Sequence, residues 1–370
     1  MDGALALVQT GVPLLALRYG ASAILLGTIG WVAQAVRLPV CFTSGRLSER
    51  VGRAKIIIPA ACLVTLGSVA LAAARSNLQV IISYTLLLTA VGAFYPPLQA
   101  LIGDVSRRGQ LRRNLGSFNI GWCIGGALAA LAARWLIRIH LSLAFWAAAP
   151  ASLVAGGLVL AWRRSRAPDA EPAQAPMPAA SGRPSLLLVA RMGHFTGFFA
   201  FAVTRMLFPK LGLSLGWTEA RVATVVAFLL VGQAAGILTT NASSWWRDKL
   251  WPQVMAQGLT LLCAVAISLA SSPILIGVMF FGIGAAAGIC YTAALYHGLS
   301  SGKDLGRNAG IHESLVAAGN ISGCLLGGLV AQSVSLRAPY ILLACLAAAC
   351  LISTAALSRE HSPRHLRQQP

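Results

Sequence analysis

Twelve long apolar stretches fill this chain of 370 residues, and each approaches the length at which a helix crosses a lipid bilayer. About 20 mainly apolar residues, rising 1.5 Å each, cover roughly 30 Å of hydrocarbon. On that ruler the spans fall at 2–17, 22–43, 55–74, 78–102, 114–135 and 139–161, then at 185–208, 219–240, 253–270, 273–297, 308–333 and 337–357. None alternates in polarity at every second residue, as the strands of a membrane barrel do. The expected fold class is therefore an all-α membrane protein. A water-soluble alternative fails on charge: 11% of residues are charged and 57% hydrophobic, against about 25% charged in soluble domains.

Basic residues set the orientation. With the N-terminus inside, the inside segments hold 19 of the 29 lysines and arginines, the outside segments seven, and Arg37, Arg191 and Arg205 fall within spans. That bias places both termini in the cytoplasm. It also accounts for the net charge of +19 with no nucleic-acid partner. Residues 163–184 carry five prolines and no apolar period, the composition of a semi-flexible linker. The expected organisation is a six-helix bundle over 1–162, a cytoplasmic linker over 163–184, a second six-helix bundle over 185–358 and a cytoplasmic tail over 359–370.

The two halves are related. A shift of 196 residues brings Pro13 onto Pro209, Gly20 onto Gly216, Gly92 onto Gly288 and Tyr95 onto Tyr291. A shift of 202 brings Gly121, Gly125 and Gly126 onto Gly323, Gly327 and Gly328. Parallel repeats of six helices imply a pseudo-twofold axis along the membrane normal, with a path between the halves. The same comparison shortens helix one: 25 residues separate Pro184 from Pro209, but only twelve precede Pro13. Either the natural chain starts upstream of Met1 or the first helix is short, with Gln9 and Thr10 facing a central cavity.

Between the second and third spans stands Gly45-Arg46-Leu47-Ser48-Glu49-Arg50-Val51-Gly52-Arg53-Ala54-Lys55. Two glycines permit a tight turn and close helix approach, and arginine forks suit carboxylates. This segment resembles the loop signature of the major facilitator superfamily, G-x-L-a-D-R-x-G-R-x-K/R, at the place where that family carries it. Glu49 stands where the family usually has Asp. The resemblance implies a cytoplasmic latch built from Gly45, Glu49, Arg50, Gly52 and Arg53. In the family the acid meets the start of the eleventh helix, and the later arginine pairs with an acid ending the fourth, the place of Asp104 here. Drug-proton antiporters of the family carry an arginine within the fourth helix and G-P-x-x-G-G in the fifth. This chain has neither, and Gly121–Gly126 reads first as a packing seam.

Ionisable groups inside a bilayer cost several kcal/mol unless paired or wetted, so they are functional candidates. His312 and Glu313 in the eleventh span are candidates for proton coupling or structural partners of the loop bases. Arg191 and His194, three apart on one helix face, suit an anionic or polar group, or a bond to a neighbouring helix. Phe195, Phe198, Phe199 and Phe201 read as packing or lipid-facing. Arg37, about two turns above the signature, reads as a gate partner or a snorkelling cation. In the family the fourth and tenth helices line the cavity, which makes Tyr95, Gln99 and Tyr291 substrate contacts or helix contacts inherited by both halves. Gln9 belongs to the same cavity, and Asn119, Trp122 and Asn320 are weaker members.

The eight cysteines lie in apolar stretches without CxxC spacing and read as packing residues rather than metal ligands. No GxxxxGK[ST], GxSxG or HExxH occurs, so the chain is not expected to be an enzyme, and no catalytic residue, metal or cofactor is assigned. The resemblance implies a secondary transporter that moves a small solute by alternating access, with any coupling by protons. The expected setting is a bacterial inner membrane and the expected state a monomer. The competing readings are a polytopic membrane enzyme and a transporter-like sensor without flux.

Overall fold

The bilayer supplies no hydrogen bonds, so a chain this apolar satisfies its backbone within helices. A computed structural model describes residues 1–105, 111–165, 184–299 and 305–360, and every regular element among them is helical. The first half contributes α1 (Asp2–Arg18), α2 (Ala23–Val51), α3 (Arg53–Ala73), α4 (Asn77–Val105), α5 (Leu111–Ile139) and α6 (Ser142–Ser165). The second half opens with a composite span: α7 (Pro184–Ala202), a π turn over Val203–Leu207 and α8 (Phe208–Ser214). It continues with α9 (Glu219–Ala242), α10 (Trp251–Leu269), α11 (Pro273–Leu299), α12 (Leu305–Ser333) and α13 (Ala338–Glu360). The linker expected at 163–184 and the tail at 359–370 lie largely outside the described residues.

Eleven helices among the described residues are long and apolar enough to cross a membrane. The twelfth, α1, has 17 residues, against 30 over Ser185–Ser214 in the seventh span, and packs on α5 and α6. The first helix is short, as the duplication implies. The halves meet along α2 with α12 and α5 with α9. Small residues make these seams possible, because dispersion between close backbones replaces the hydrophobic drive that lipid removes. A Cβ on Gly27 would stand 2.4 Å from the Cys324 carbonyl oxygen across the α2–α12 seam. Within the second half, a Cβ on Gly284 would stand 2.0 Å from the Leu229 carbonyl oxygen.

The duplication is visible in local geometry. Gly20 and Gly216 both adopt positive φ, at 74° and 79°, a region glycine enters without a Cβ penalty. Each closes its helix with the same bonds: Gly20 N–H to Leu17 and Ala21 N–H to Ala16, against Gly216 N–H to Leu213 and Trp217 N–H to Gly212. The next helices start alike, with Ser22 Oγ accepting from Leu25 N–H and Thr218 Oγ1 from Arg221 N–H. Gly92 lies against Arg37 and Gly288 against Gln233, so α4 meets α2 as α11 meets α9.

Two local expectations need correction. The signature is not an open turn: α2 continues through it to Val51, and only Gly52, at φ 99°, breaks the helix before α3. Gly45 is helical and faces Pro96 of α4, whose Cβ is 3.7 Å from where a Gly45 Cβ would stand. Its smallness serves close approach rather than turning. Thr10 does not line the central cavity; its hydroxyl is buried and donates to the Ala6 carbonyl.

Candidate functional site

Near the middle of the molecule the helices part around a cavity of about 160 Å³. It is built in mates. Asp2 and Phe198, Leu5 and Phe201, Gln9 and Arg205, Gln34 and Leu230, Arg37 and Gln233, Tyr95 and Tyr291 all line it, and each pair is separated by the offset of 196. Phe118 and Asn320 line it at the offset of 202. A wall formed by equivalent positions of both halves is what a pseudo-twofold axis through a cavity produces.

The centre of that wall departs from symmetry. Arg205 sits in the π turn of the seventh span, and its Nη1 donates to Oε1 of Gln9, its own mate in α1. The axis therefore passes between these two side chains. A π turn adds a residue to the helical register and recurs at functional sites; here it carries the cavity's central cation. The guanidinium lies over the Phe201 ring, 4.8 Å from its centroid, and its buried Nε has no hydrogen-bond partner. Among the described residues no carboxylate comes within ion-pair distance of it.

Around this cation the surface is aromatic with polar edges. Phe118, Trp122, Phe198, Phe201, Tyr95 and Tyr291 contribute rings, and Trp122 meets Tyr291 edge-on at 5.8 Å. The Tyr95 hydroxyl donates to the Asp2 carboxylate. On the far side Arg37 donates to Gln34 Oε1 at 3.2 Å. Glu313 lines both the cavity and a smaller cleft shared with Arg37 and Cys41.

Of the residues singled out in the sequence, Gln9, Tyr95, Gln99, Tyr291 and Glu313 line this cavity, as do Trp122 and Asn320. Arg191 and His194 do not. The Arg191 Nη2 donates to Asn308 Oδ1 at 2.7 Å, in the first turn of α12. His194 is buried, stacked on His312 at 4.1 Å and 15°, with Tyr291 against both rings. Neighbours on a helix point about 100° apart, which turns His312 inward to this stack while Glu313 reaches the cavity. Phe198 and Phe201, read as packing residues, are cavity residues. Asp2, Arg205, Gln34 and Gln233 were not singled out. The signal for Arg205 was present: a cation within a span whose offset places it on Gln9.

In the signature segment Arg53 is the hub. Its Nε meets Asp104 Oδ2 at 3.0 Å, its Nη1 donates to Ser48 Oγ at 2.8 Å, and Glu49 stands 3.9 Å away. The Glu49 side chain is 66% exposed and Arg50 is exposed. At the opposite face Arg18 of α1 grips Glu219 of α9 with two bonds, at 2.7 and 2.8 Å. Lys210 donates to the Ala21 carbonyl beside it, at 2.8 Å. Both contacts join one half to the other. Among the described residues no three His, Cys, Asp or Glu side chains group as metal ligands.

Comparison with known proteins places this architecture. Three curated relatives are the probable 4-methylmuconolactone transporter of Cupriavidus pinatubonensis, the 3-(3-hydroxy-phenyl)propionate transporter of Escherichia coli and the gallate transporter of Pseudomonas putida. The first is 30% identical over 140 residues, 36% of this chain and 33% of the relative. The second is 27% identical over 235 residues, 62% and 58%; the third is 26% identical over 298 residues, 68% and 64%. The chain thus spans between one third and just under two thirds of their lengths. Among solved structures, a bacterial homologue of the human lysosomal transporter Spinster, inward-facing and occupied, superposes with a TM-score of 0.75. It shares 13% identity, over 97% of this chain and 95% of that one; its unoccupied form gives 0.70. The family model of the Major Facilitator Superfamily matches residues 2–296 and 252–370. These two halves around one cavity, an integral membrane fold with transporters rather than enzymes among its relatives, belong to the major facilitator superfamily.

Proposed function

We propose that this protein is a secondary transporter of single-ring aromatic carboxylates, which pass through the central cavity by alternating access. The observation that carries the reading is Arg205: a cation beside the pseudo-twofold axis, held by a neutral amide and an aromatic face, with no carboxylate partner among the described residues. A cation in a low-dielectric cavity gains most from an anion that completes its charge. The rings around it suit a flat apolar body. A volume of about 160 Å³ is small beside the roughly 300–1,000 Å³ of drug-sized pockets, and so favours one ring over a larger drug. Two relatives, the gallate and 3-(3-hydroxy-phenyl)propionate transporters, are named for acids of the same chemical class.

Co-transport of one proton makes the cargo neutral. A bare carboxylate moving against a potential costs about 2.3 kcal/mol per 100 mV, and a proton travelling with it removes that cost. Glu313, between the cavity and the Arg37 cleft, is the proposed proton carrier. The Arg53–Asp104 cluster is the proposed latch on one face and Arg18–Glu219 the closure on the other. The basic bias of the loops supports both termini cytoplasmic, and the bacterial sources of the three relatives support a bacterial inner membrane.

The test is uptake of labelled gallate and 3-(3-hydroxy-phenyl)propionate into proteoliposomes under an imposed proton gradient, with uncharged phenol as control. Saturable uptake of the acids, driven in the direction of the gradient, supports the proposal. Binding without uptake would replace it with the sensor reading, and saturable uptake of neutral rings alone would remove Arg205 as the selecting group.

A further inference from the structure

The face opposite the signature segment carries seven basic residues by the sequence count, and several have clear partners. Arg18 holds Glu219, Lys210 holds the Ala21 carbonyl, and Arg337 donates to the Ser268 carbonyl and Ser271 hydroxyl. Three others converge. Arg134 and Arg138, one turn apart on α5, and Arg221 near the start of α9 line a single cavity of about 780 Å³ between α5, α9 and α11. Among the described residues none of the three has a carboxylate within ion-pair distance.

Below this basic rim the wall is apolar. Val225 and Phe228 follow Arg221 along one face of α9, and Ile274 and Val278 face them from α11. From Arg221 to Phe228 the helix descends about 10 Å at 1.5 Å per residue, toward the hydrocarbon. The cavity is also open at its edge: Ile274 is 80% exposed, and Trp135 beside the rim is 59% exposed. A tryptophan at that level is an interfacial residue. Its neighbour Arg134 lies 5.1 Å above its ring.

We infer that this cavity binds one anionic phospholipid, its phosphate among Arg134, Arg138 and Arg221 and one acyl chain along Val225, Phe228 and Val278. Guanidinium forks match phosphate oxygens, and the apolar wall below them fits a chain that a free anion lacks. The volume is nearly five times that of the central cavity, too large for a single-ring acid to fill. The site is independent of the transported solute. Glu219 lines it as well, so a bound headgroup sits beside the carboxylate that ties the halves together.

The experiment uses the purified full chain in detergent, titrated with phosphatidylglycerol or phosphatidylcholine and followed by thermal unfolding and native mass spectrometry. Phosphatidylglycerol is expected to raise the unfolding temperature by several degrees and to leave one retained lipid; phosphatidylcholine is not. The triple variant Arg134→Gln, Arg138→Gln, Arg221→Gln should weaken retention at least tenfold. Val278→Trp fills the acyl groove with the rim intact and should do the same, which keeps the test decisive if the triple variant fails to fold. Equal retention by wild type and Val278→Trp overturns the inference. So does an equal shift from glycerol 3-phosphate at the same concentration, which would make the cavity a site for free anions.

Discussion

At the scale of single residues the proposed function rests on Arg205. Hydrogen bonds to charged groups contribute about 1.5–3 kcal/mol, so Arg205→Gln should weaken binding of an aromatic carboxylate by roughly ten- to a hundredfold. Arg205→Lys should keep part of the affinity, since it restores charge but not the fork. Calorimetry on the purified protein measures both, and unchanged affinity in the Gln variant would remove the anion site. Glu313→Gln should abolish the effect of a proton gradient while leaving carboxylate exchange across the membrane intact; a gradient response equal to wild type would move proton coupling elsewhere. Much of this cavity is legible in the sequence, because Gln9, Tyr95, Gln99 and Tyr291 are polar groups in apolar helices and bilayers select against such groups without a role. The rest is not. Arg191 and Arg205 are both cations within one span, and the offset that places Arg205 on Gln9 does not show what either contacts: Asn308 engages the first, while the π turn aims the second at the axis.

At the scale of elements the proposed function turns on the π turn and the glycine seams. Deleting Thr204 returns Val203–Leu207 to α register and rotates one side of the turn by about 100° against the other. The variant should insert and stay helical by circular dichroism but lose carboxylate binding; retained binding would show that Arg205 needs no special register. The seams separate rigid from moving contacts. Gly284→Ala strikes the Leu229 backbone inside one half and should lower the unfolding temperature. Gly27→Ala strikes Cys324 between halves and should slow transport with a smaller loss of stability, because the proposed alternating access requires that contact to open. Equal loss of stability in both variants would make the α2–α12 seam static. Long apolar runs make the helices legible, yet their ends are less so. Gly45 and Gly52 both read as permitting a turn or a close approach; Gly45 is helical and faces Pro96, while Gly52, where φ is positive, is the break.

At the scale of the whole molecule two six-helix units are joined by a few directed contacts. Arg18–Glu219 is such a contact, and exposed pairs contribute up to about 1 kcal/mol, a fivefold change in population. Glu219→Arg should therefore favour separation at that face by about this factor, and the reversed pair Arg18→Glu with Glu219→Arg should restore closure. Distances between spin labels on Arg75 and Arg337, in a cysteine-free background, report it; distributions unchanged by the single reversal would deny the pair a gating role. The duplication was readable from Pro, Gly and Tyr coincidences, since Pro and Gly answer to backbone geometry that both halves share and Tyr95 and Tyr291 line the one cavity from either half. The offset pairs Gln9 with Arg205, but it does not reveal that this difference falls at the axis. The bond between Gln9 and Arg205 lies where each half meets its own image. Two first halves assembled as a symmetric dimer would place glutamine against glutamine there and hold no charge. Two second halves would press arginine against arginine. A single cation at the centre requires inequivalent copies, so neither half, doubled, can replace the fused chain.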